Sequence, residues 1–175
     1  KIGDYIRSLG YQKIDVLIAT HPHADHIGGM EYIVNHFEIG KVYMPNAVSS
    51  TSTFTKLLNA IDKKNIETIE AEKGVKIDDN LCDLEFLSPN RKEYKNLNNY
   101  SAVLKITYGN TSFLFMGDAE KEAEDEIKAD VSADIIKIGH HGSSSSSGES
   151  FIKRVNPKFA VISCGLNNSY GHPHE

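Results

Sequence analysis

One stretch of sequence decides the fold: Asp15-Val16-Leu17-Ile18-Ala19-Thr20-His21-Pro22-His23-Ala24-Asp25-His26. An apolar, strand-like run opens it, and four metal-competent side chains follow within six residues. Imidazole and carboxylate together suit zinc, manganese or iron. The alternating spacing predicts that His21 and His23 face one side of the turn. Asp25 and His26 then face the other side, so we expect one short loop to serve two metal ions.

The composition fits a globular protein. The chain has 175 residues, of which 39% are hydrophobic and 25% are charged, so we predict a single domain over residues 1–175 with a proper core. No apolar run approaches the ~20 residues that a membrane span requires. A net charge of −5 gives no electrostatic case for nucleic acid, although bound divalent ions add positive charge where phosphate would lie. Cys82 and Cys164 make neither a zinc pair nor a disulfide framework, and we expect buried free thiols.

Hydrophobic periodicity predicts alternating helices and strands. Helices are expected over residues 1–9, 30–37, 54–61, 119–128 and 151–155. Strands are expected over residues 15–20, 42–44, 82–86, 102–108, 111–116, 135–138 and 159–162. Gly109-Asn110 is a strong two-residue hairpin signal between two of these strands. The polar segment 88–99 is either a substrate-facing loop or a plain surface loop.

Polar side chains follow four of the predicted strands. These are the loop from His21 to His26, Asp118, the pair His140-His141, and the segment that contains His172 and His174. A lone carboxylate such as Asp118 can bridge two ions, because its two oxygens span the distance within a two-metal centre. The alternative is that Asp118 caps the helix that follows it. Convergence of strand ends favours a shared site and the bridging role.

These motifs resemble those of the metallo-β-lactamase superfamily, and the match covers nearly the whole chain. They are His-x-His-x-Asp-His after a strand, Gly117-Asp118 after a hairpin, and Lys137-Ile138-Gly139-His140-His141-Gly142-Ser143. The last motif, taken together with Asn167-Asn168-Ser169-Tyr170-Gly171-His172-Pro173-His174, is similar to the hydrolase domain of ComEC-type DNA-uptake competence proteins. The segment Asn98-Asn99-Tyr100-Ser101-Ala102-Val103-Leu104 also resembles that group.

The resemblance implies an α/β (α+β) fold, a metallo-β-lactamase-like αββα four-layer sandwich, with two divalent metal ions, zinc or manganese. His21 and His23 would bind one ion. Asp25, His26 and His140 would bind the other, and Asp118 would bridge the two.

Two departures from the family pattern matter. Typical two-zinc members supply a further histidine to the first ion from the region before the hairpin, where this chain offers only Asn98, Asn99 and Ser101. The first site is therefore expected to be weaker, or to be completed by water. The superfamily also places strands before the helix that precedes the first motif, whereas this chain begins at Lys1. We expect a fragment of a longer protein that lacks its N-terminal strands.

The resemblance further implies a metal-dependent phosphodiesterase, more narrowly a nuclease that acts on DNA during uptake. A metal-activated hydroxide, oriented by Asp25, would attack the phosphodiester. His141 and His172 would donate a proton to the leaving oxygen, and Ser143 and His174 would hold substrate oxygens. Alternatively, His141 is a structural histidine behind the metal ligands, and the histidines near the C-terminus lie in an exposed loop.

Two other functions stay open. The first is a phosphorylcholine esterase or another surface phosphodiesterase, which would need aromatic residues around a cation pocket. The second is a metal-bearing module that binds DNA without cleaving it. The resemblance implies a membrane channel domain in the same full-length protein, and an extracytoplasmic location, membrane-associated or secreted, with a cytoplasmic one as the alternative. Hydrolysis of β-lactams is not expected, because a fold does not determine a substrate.

Overall fold

The computed structural model describes residues 1–174, which form two compact units, Lys1–Glu70 and the part of the chain from Ala71 onward. The prediction of a single domain stays a prediction. No helix in residues 1–174 combines the length and the apolar character needed to cross a bilayer.

The first unit carries a parallel sheet of three strands in the order β1-β2-β3. Its elements are α1 (Ile2–Ser8), β1 (Lys13–Ile18), α2 (Ala24–Ile27), α3 (Met30–His36), β2 (Glu38–Met44), α4 (Ser52–Lys63) and β3 (Glu67–Glu70). Because β2 is central, β1 lies at one edge of this sheet.

Helix α4 illustrates how the sequence specifies these elements. The Thr51 side chain accepts a hydrogen bond from the Phe54 backbone N–H, which satisfies one of the amides left unpaired in the first turn. Phe54, Leu57 and Ile61 recur at helical spacing and are all buried. They join Val34 and Val42 in the core of the first unit.

The second unit carries a six-stranded sheet in the order β4-β5-β6-β7-β8-β9. Its elements are β4 (Lys76–Ile77), β5 (Cys82–Ser88), β6 (Val103–Tyr108), β7 (Thr111–Phe115), α5 (Lys121–Glu126), β8 (Ile135–Lys137), α6 (Glu149–Val155) and β9 (Phe159–Val161). The hairpin predicted at Gly109-Asn110 is confirmed, since β6 and β7 pair with Tyr108 opposite Thr111. Gly109 has a positive φ of 56°, which glycine adopts without steric cost.

The order of the last three strands determines where the polar side chains lie. The chain runs antiparallel from β4 to β7, whereas β7, β8 and β9 pair in parallel. The carboxyl ends of these three strands therefore meet at one edge of the sheet. Leu114, Ile136 and Phe151 pack beneath this edge in the core of the second unit.

Four details differ from the sequence predictions. Strands β3 and β4 were not predicted, and α5 is shorter than the expected 119–128. Glu120, not Asp118, occupies the N-cap position of α5, so Asp118 does not have the capping role considered as its alternative. The expectation of buried thiols is wrong for Cys164, which is exposed because it follows the exposed strand β9, while Cys82 is half-buried.

Candidate functional site

The histidine-rich loop of the first unit follows β1. Helix α2 begins at Ala24, so Asp25 and His26 lie in its first turn, while His21 and His23 precede it. His21 is buried, with 1% of its surface exposed, whereas the Asp25 side chain is largely exposed. The fold thus places all four predicted ligands of this loop on one short turn.

His21 occupies the centre of this group. Its ring centroid lies 4.8 Å from that of His23 and 4.2 Å from that of His26. The Thr20 hydroxyl lies 3.1 Å from His21 Nδ1 and 3.4 Å from His26 Nδ1, and so helps to fix both rings. Asp25 Oδ2 lies 3.5 Å from His26 Nε2. His21 lies beside His23, and Asp25 lies beside His26, as predicted. The His21 ring also lies close to that of His26, so the two pairs are not separate.

The spacing of ring nitrogens in this loop fits a metal ion. His21 Nε2 and His23 Nδ1 lie 3.1 Å apart. Two zinc–nitrogen bonds of 2.0–2.1 Å at a tetrahedral angle would separate their nitrogens by about 3.3 Å. The two nitrogens therefore need only a small adjustment to bind the same ion.

Asp118 is the central carboxylate of the second unit. It follows β7 after a turn at Gly117, whose φ is 56°, and it is 2% exposed. Its backbone N–H donates to Ser101 Oγ at 2.9 Å, which fixes the turn. A carboxylate held in so buried a place needs positively charged or hydrogen-bonding neighbours.

His140 and His141 supply such neighbours from the loop that follows β8. Their Nε2 atoms lie 4.0 Å and 3.4 Å from Asp118 Oδ2. Both residues have left-handed backbones, with φ of 45° and 55°. This conformation costs about 1–3 kcal/mol for each non-glycine residue. It allows two consecutive imidazoles to approach the same carboxylate.

The other ring nitrogen of each histidine is anchored. His141 Nδ1 lies 2.7 Å from the carbonyl oxygen of Ser163, and His140 Nδ1 lies 3.3 Å from Glu120 Oε1 and 3.1 Å from Ser145 Oγ. A carbonyl or carboxylate partner places the proton on Nδ1 and leaves the Nε2 lone pair for an ion, as is usual for metal-binding histidines. These donors therefore fit a divalent metal, and His141 fits as well as His140.

Glu120 is a residue of the candidate site that the sequence motifs did not identify. Its Oε1 accepts hydrogen bonds from Asn98 Nδ2 at 3.1 Å and Ser145 Oγ at 3.0 Å, and its Oε2 accepts one from Asn96 Nδ2 at 2.9 Å. These bonds orient the carboxylate towards His140. Its place two residues after Asp118 was the only signal available in the sequence.

The residues that stand where the family has another histidine organise the turn around Asp118. Asn99 Oδ1 accepts from the Glu120 backbone N–H at 3.0 Å, and Asn98 bonds to the Glu120 side chain. Ser101 accepts from the Asp118 amide. These contacts explain why polar, non-histidine residues are used there.

His172 lies beside the two histidines of the β8 loop. Its ring centroid is 5.8 Å from that of His140 and 6.4 Å from that of His141, and the rings of His172 and His141 are nearly parallel, at 15°. Desolvation, followed by repulsion from His174 and the His140-His141 pair, lowers the pKa of His172 below its usual range. The structure thus brings this predicted catalytic residue to the same edge as Asp118.

His174 and Ser143 already have partners within the loops. The Ser144 backbone N–H donates to His174 Nδ1 at 3.1 Å, and His174 Nε2 lies 3.1 Å from the Tyr170 carbonyl oxygen. Ser143 Oγ lies 3.0 Å from Ser145 Oγ. Their predicted contacts with substrate stay predictions, and the structure assigns both residues to holding the loops together.

The segment 88–99 is tied to α5. Arg91 pairs with Glu122 at 2.8 Å and also with Glu126, which in turn accepts from the Tyr94 hydroxyl at 2.7 Å. Desolvation and this bond to Glu126 raise the pKa of Tyr94 to about 12. The segment is therefore held against α5.

The family model of the metallo-beta-lactamase superfamily matches residues 4–166. The chain is 36% identical over 176 residues to ComE operon protein 3 of Bacillus subtilis, a match that covers 98% of this chain and 22% of that protein. It is 27% identical over 174 residues to competence protein ComA of Neisseria gonorrhoeae, covering 97% of this chain and 23% of that protein. The chain thus spans less than a quarter of the length of these curated relatives.

Among solved structures, the chain is similar to YhfI from Bacillus subtilis, a metallo-beta-lactamase fold protein. The TM-score is 0.53 at 13% identity, and the match covers 93% of this chain and 72% of the other. A likeness at this identity concerns the fold alone. Together with the family match, it confirms the predicted α/β class.

Proposed function

The chain belongs to the metallo-beta-lactamase superfamily and is a hydrolase of the group that includes ComEC-type competence proteins, and on that premise we propose that it is a metal-dependent phosphodiesterase that cleaves DNA. One observation carries the proposal. The buried carboxylate of Asp118 lies within 4.0 Å of two imidazole nitrogens, whose rings are each anchored through Nδ1. This arrangement suits a divalent ion and the hydrolysis of a phosphodiester.

We propose that the protein binds two divalent ions, zinc or manganese. The proposed ligands are His21, His23, Asp25, His26, Asp118 and His140, with His141 as an additional candidate. Hard carboxylate and borderline imidazole donors suit both metals. When bound, the ions would supply Lewis acidity at a phosphoryl oxygen and lower the pKa of water.

The surrounding side chains have distinct proposed tasks. Asp25, whose carboxylate is largely exposed, orients the attacking water. His172 lies at the same edge as Asp118 and hands a proton to the leaving oxygen. Ser143 and His174 hold substrate oxygens.

DNA is the favoured substrate because one of these curated relatives, ComA of Neisseria gonorrhoeae, is named as a competence protein. We extend this relation to a DNA-uptake context, with a membrane channel in the same full-length protein and an extracytoplasmic location. We propose in addition that this chain is a part of that longer protein.

The test uses protein reconstituted with Mn²⁺ and, separately, with Zn²⁺. Labelled single-stranded DNA, double-stranded DNA and a phosphorylcholine ester are offered to each sample, with the Asp118→Asn variant as the background control. Metal-dependent DNA cleavage that is absent in the control supports the proposal. Turnover of the choline ester alone would establish the surface phosphodiesterase instead. Binding of DNA without any turnover would establish a non-catalytic module.

Replacing Glu120 by alanine is expected to weaken metal binding by about 10- to 100-fold, because His140 loses the carboxylate that orients its ring. Glu120→Gln keeps an acceptor oxygen, so its metal affinity should lie between that of Glu120→Ala and that of the wild type. Competition with a chelating dye measures the dissociation constant. Glu149→Ala, which removes an exposed carboxylate of α6, is the matched control and should change nothing. An unaltered metal affinity in Glu120→Ala would contradict a positioning role for Glu120.

A further inference from the structure

The loop before the C-terminus presents one aromatic ring to solvent beside the candidate site. Tyr170 is 76% exposed. Its ring lies 5.6 Å from that of His172, at an interplanar angle of 23°. His172 in turn lies nearly parallel to His141, whose Nε2 is 3.4 Å from Asp118 Oδ2. Three roughly parallel rings thus lead from the buried carboxylate to the surface.

This loop is held in place by its own hydrogen bonds. Asn168 Oδ1 accepts from the backbone N–H groups of Tyr170 at 3.2 Å and His172 at 3.0 Å. Its Nδ2 donates to the carbonyl oxygens of Gly165 at 2.9 Å and His172 at 2.6 Å. The His174 backbone N–H also donates to the Gly142 carbonyl at 2.8 Å, which ties the loop to the turn that carries His140 and His141. The backbone that carries the exposed ring is therefore held in place by bonds within the loop and to the turn after β8.

Isolated exposed apolar side chains are ordinary on protein surfaces. Tyr170 differs because its backbone is held in place and its ring is aligned with the histidines next to Asp118. Exposed aromatic rings along a binding groove are the elements on which single-stranded nucleic-acid-binding proteins stack bases. Tyrosine does this at low entropic cost, since it has only two side-chain torsions to restrain.

We propose that Tyr170 is a stacking platform for a nucleobase next to the scissile phosphate, and that it selects single-stranded DNA. The inference rests on the proposed function and specifies the substrate of the same site. Bases in a duplex already stack on each other, whereas those of a single strand offer a free face. A quaternary ammonium group is instead bound inside a cage of several rings. The parallel arrangement of Tyr170 and His172 forms a flat surface, which fits a planar base better.

Equilibrium binding of a cleavage-resistant strand tests the platform apart from catalysis. The probe is a phosphorothioate single strand that carries one 2-aminopurine, whose fluorescence is quenched when it stacks. The metal-loaded wild type and Tyr170→Phe should both quench it. Tyr170→Ala should lose the quenching and bind about 5- to 150-fold more weakly, since stacking contributes about 1–3 kcal/mol per base. Asn168→Ala should weaken binding as well, because it frees the loop.

A matched strand without bases supplies the control. On this abasic strand the wild type and Tyr170→Ala should bind equally, because only the phosphates remain in contact. Equal quenching by Tyr170→Ala and the wild type would overturn the platform. So would a loss of affinity in Tyr170→Ala that is as large for the abasic strand as for the strand with bases. DNA cleavage with no effect of Tyr170→Ala would refute the platform and leave the proposed function intact. Stacking without DNA cleavage by any metal-loaded sample would refute the proposed function and leave the platform intact.

Discussion

Replacing Asp118 by asparagine is expected to lower kcat/KM for DNA cleavage by about 10³-fold while the fold stays intact. The substitution keeps the volume of the side chain and removes the charge that two imidazoles and the ions require. Losing several kcal/mol of charge stabilisation in the transition state corresponds to a factor of this size. Initial rates with labelled DNA measure it, and circular dichroism should be unchanged. The backbone bond from residue 118 to Ser101 does not depend on the substituted group.

Asp125→Asn is the matched control for this substitution. Asp125 is an exposed carboxylate on α5, seven positions further along the chain, and its neutralisation should leave the rate unaltered. A fully active Asp118→Asn protein would show that this carboxylate does not take part in hydrolysis. Helix capping would not explain such a result, since Glu120 holds the N-cap position of α5.

Removing divalent ions with a chelator is expected to abolish hydrolysis, and adding Mn²⁺ or Zn²⁺ should restore it. The same treatment should lower the Tm, because an ion that binds only the folded state stabilises it by about 2.7 kcal/mol at a concentration 100 times its dissociation constant. Elemental analysis should find up to two equivalents of metal. The site of Asp25, His26 and His140 should fill before that of His21 and His23, which lacks the further histidine of the family.

The Asp118→Asn variant also serves as the control for metal removal, since its Tm should respond less to added metal than that of the wild type. Less than about a tenth of an equivalent of any transition metal after reconstitution would contradict the metal centre. Hydrolysis that persists in the chelated protein would contradict it equally.

Local patterns in the sequence predicted most of the elements. The α4 face of Phe54, Leu57 and Ile61 has the spacing of a helix, and Gly109-Asn110 has the chemistry of a hairpin turn, so neither depends on distant parts of the chain. Strand β3, Glu67-Thr68-Ile69-Glu70, lacks a comparable signal because it has few apolar residues. Its conformation follows from parallel pairing with β2.

The candidate site was predictable in its residue types and less so in its detailed contacts. The motifs identified Asp118 and the neighbouring histidines, but which histidine approaches Asp118 more closely depends on backbone angles at residues 140 and 141. The role of Glu120 depends on the parallel pairing of β7 with β8, which brings the two following loops together. Such non-local contacts leave no periodic trace in a single sequence.

The left-handed turn at His140 and His141 has a consequence for how fast a metal can bind. Its conformational cost is met when the protein folds, so an arriving ion finds both imidazoles already directed at Asp118. Uptake of the first ion should then follow simple second-order kinetics, without a slow rearrangement after the encounter. In the apo protein, replacing either histidine by glycine should relieve the local backbone strain, but the buried Asp118 carboxylate then loses one of its two imidazole neighbours.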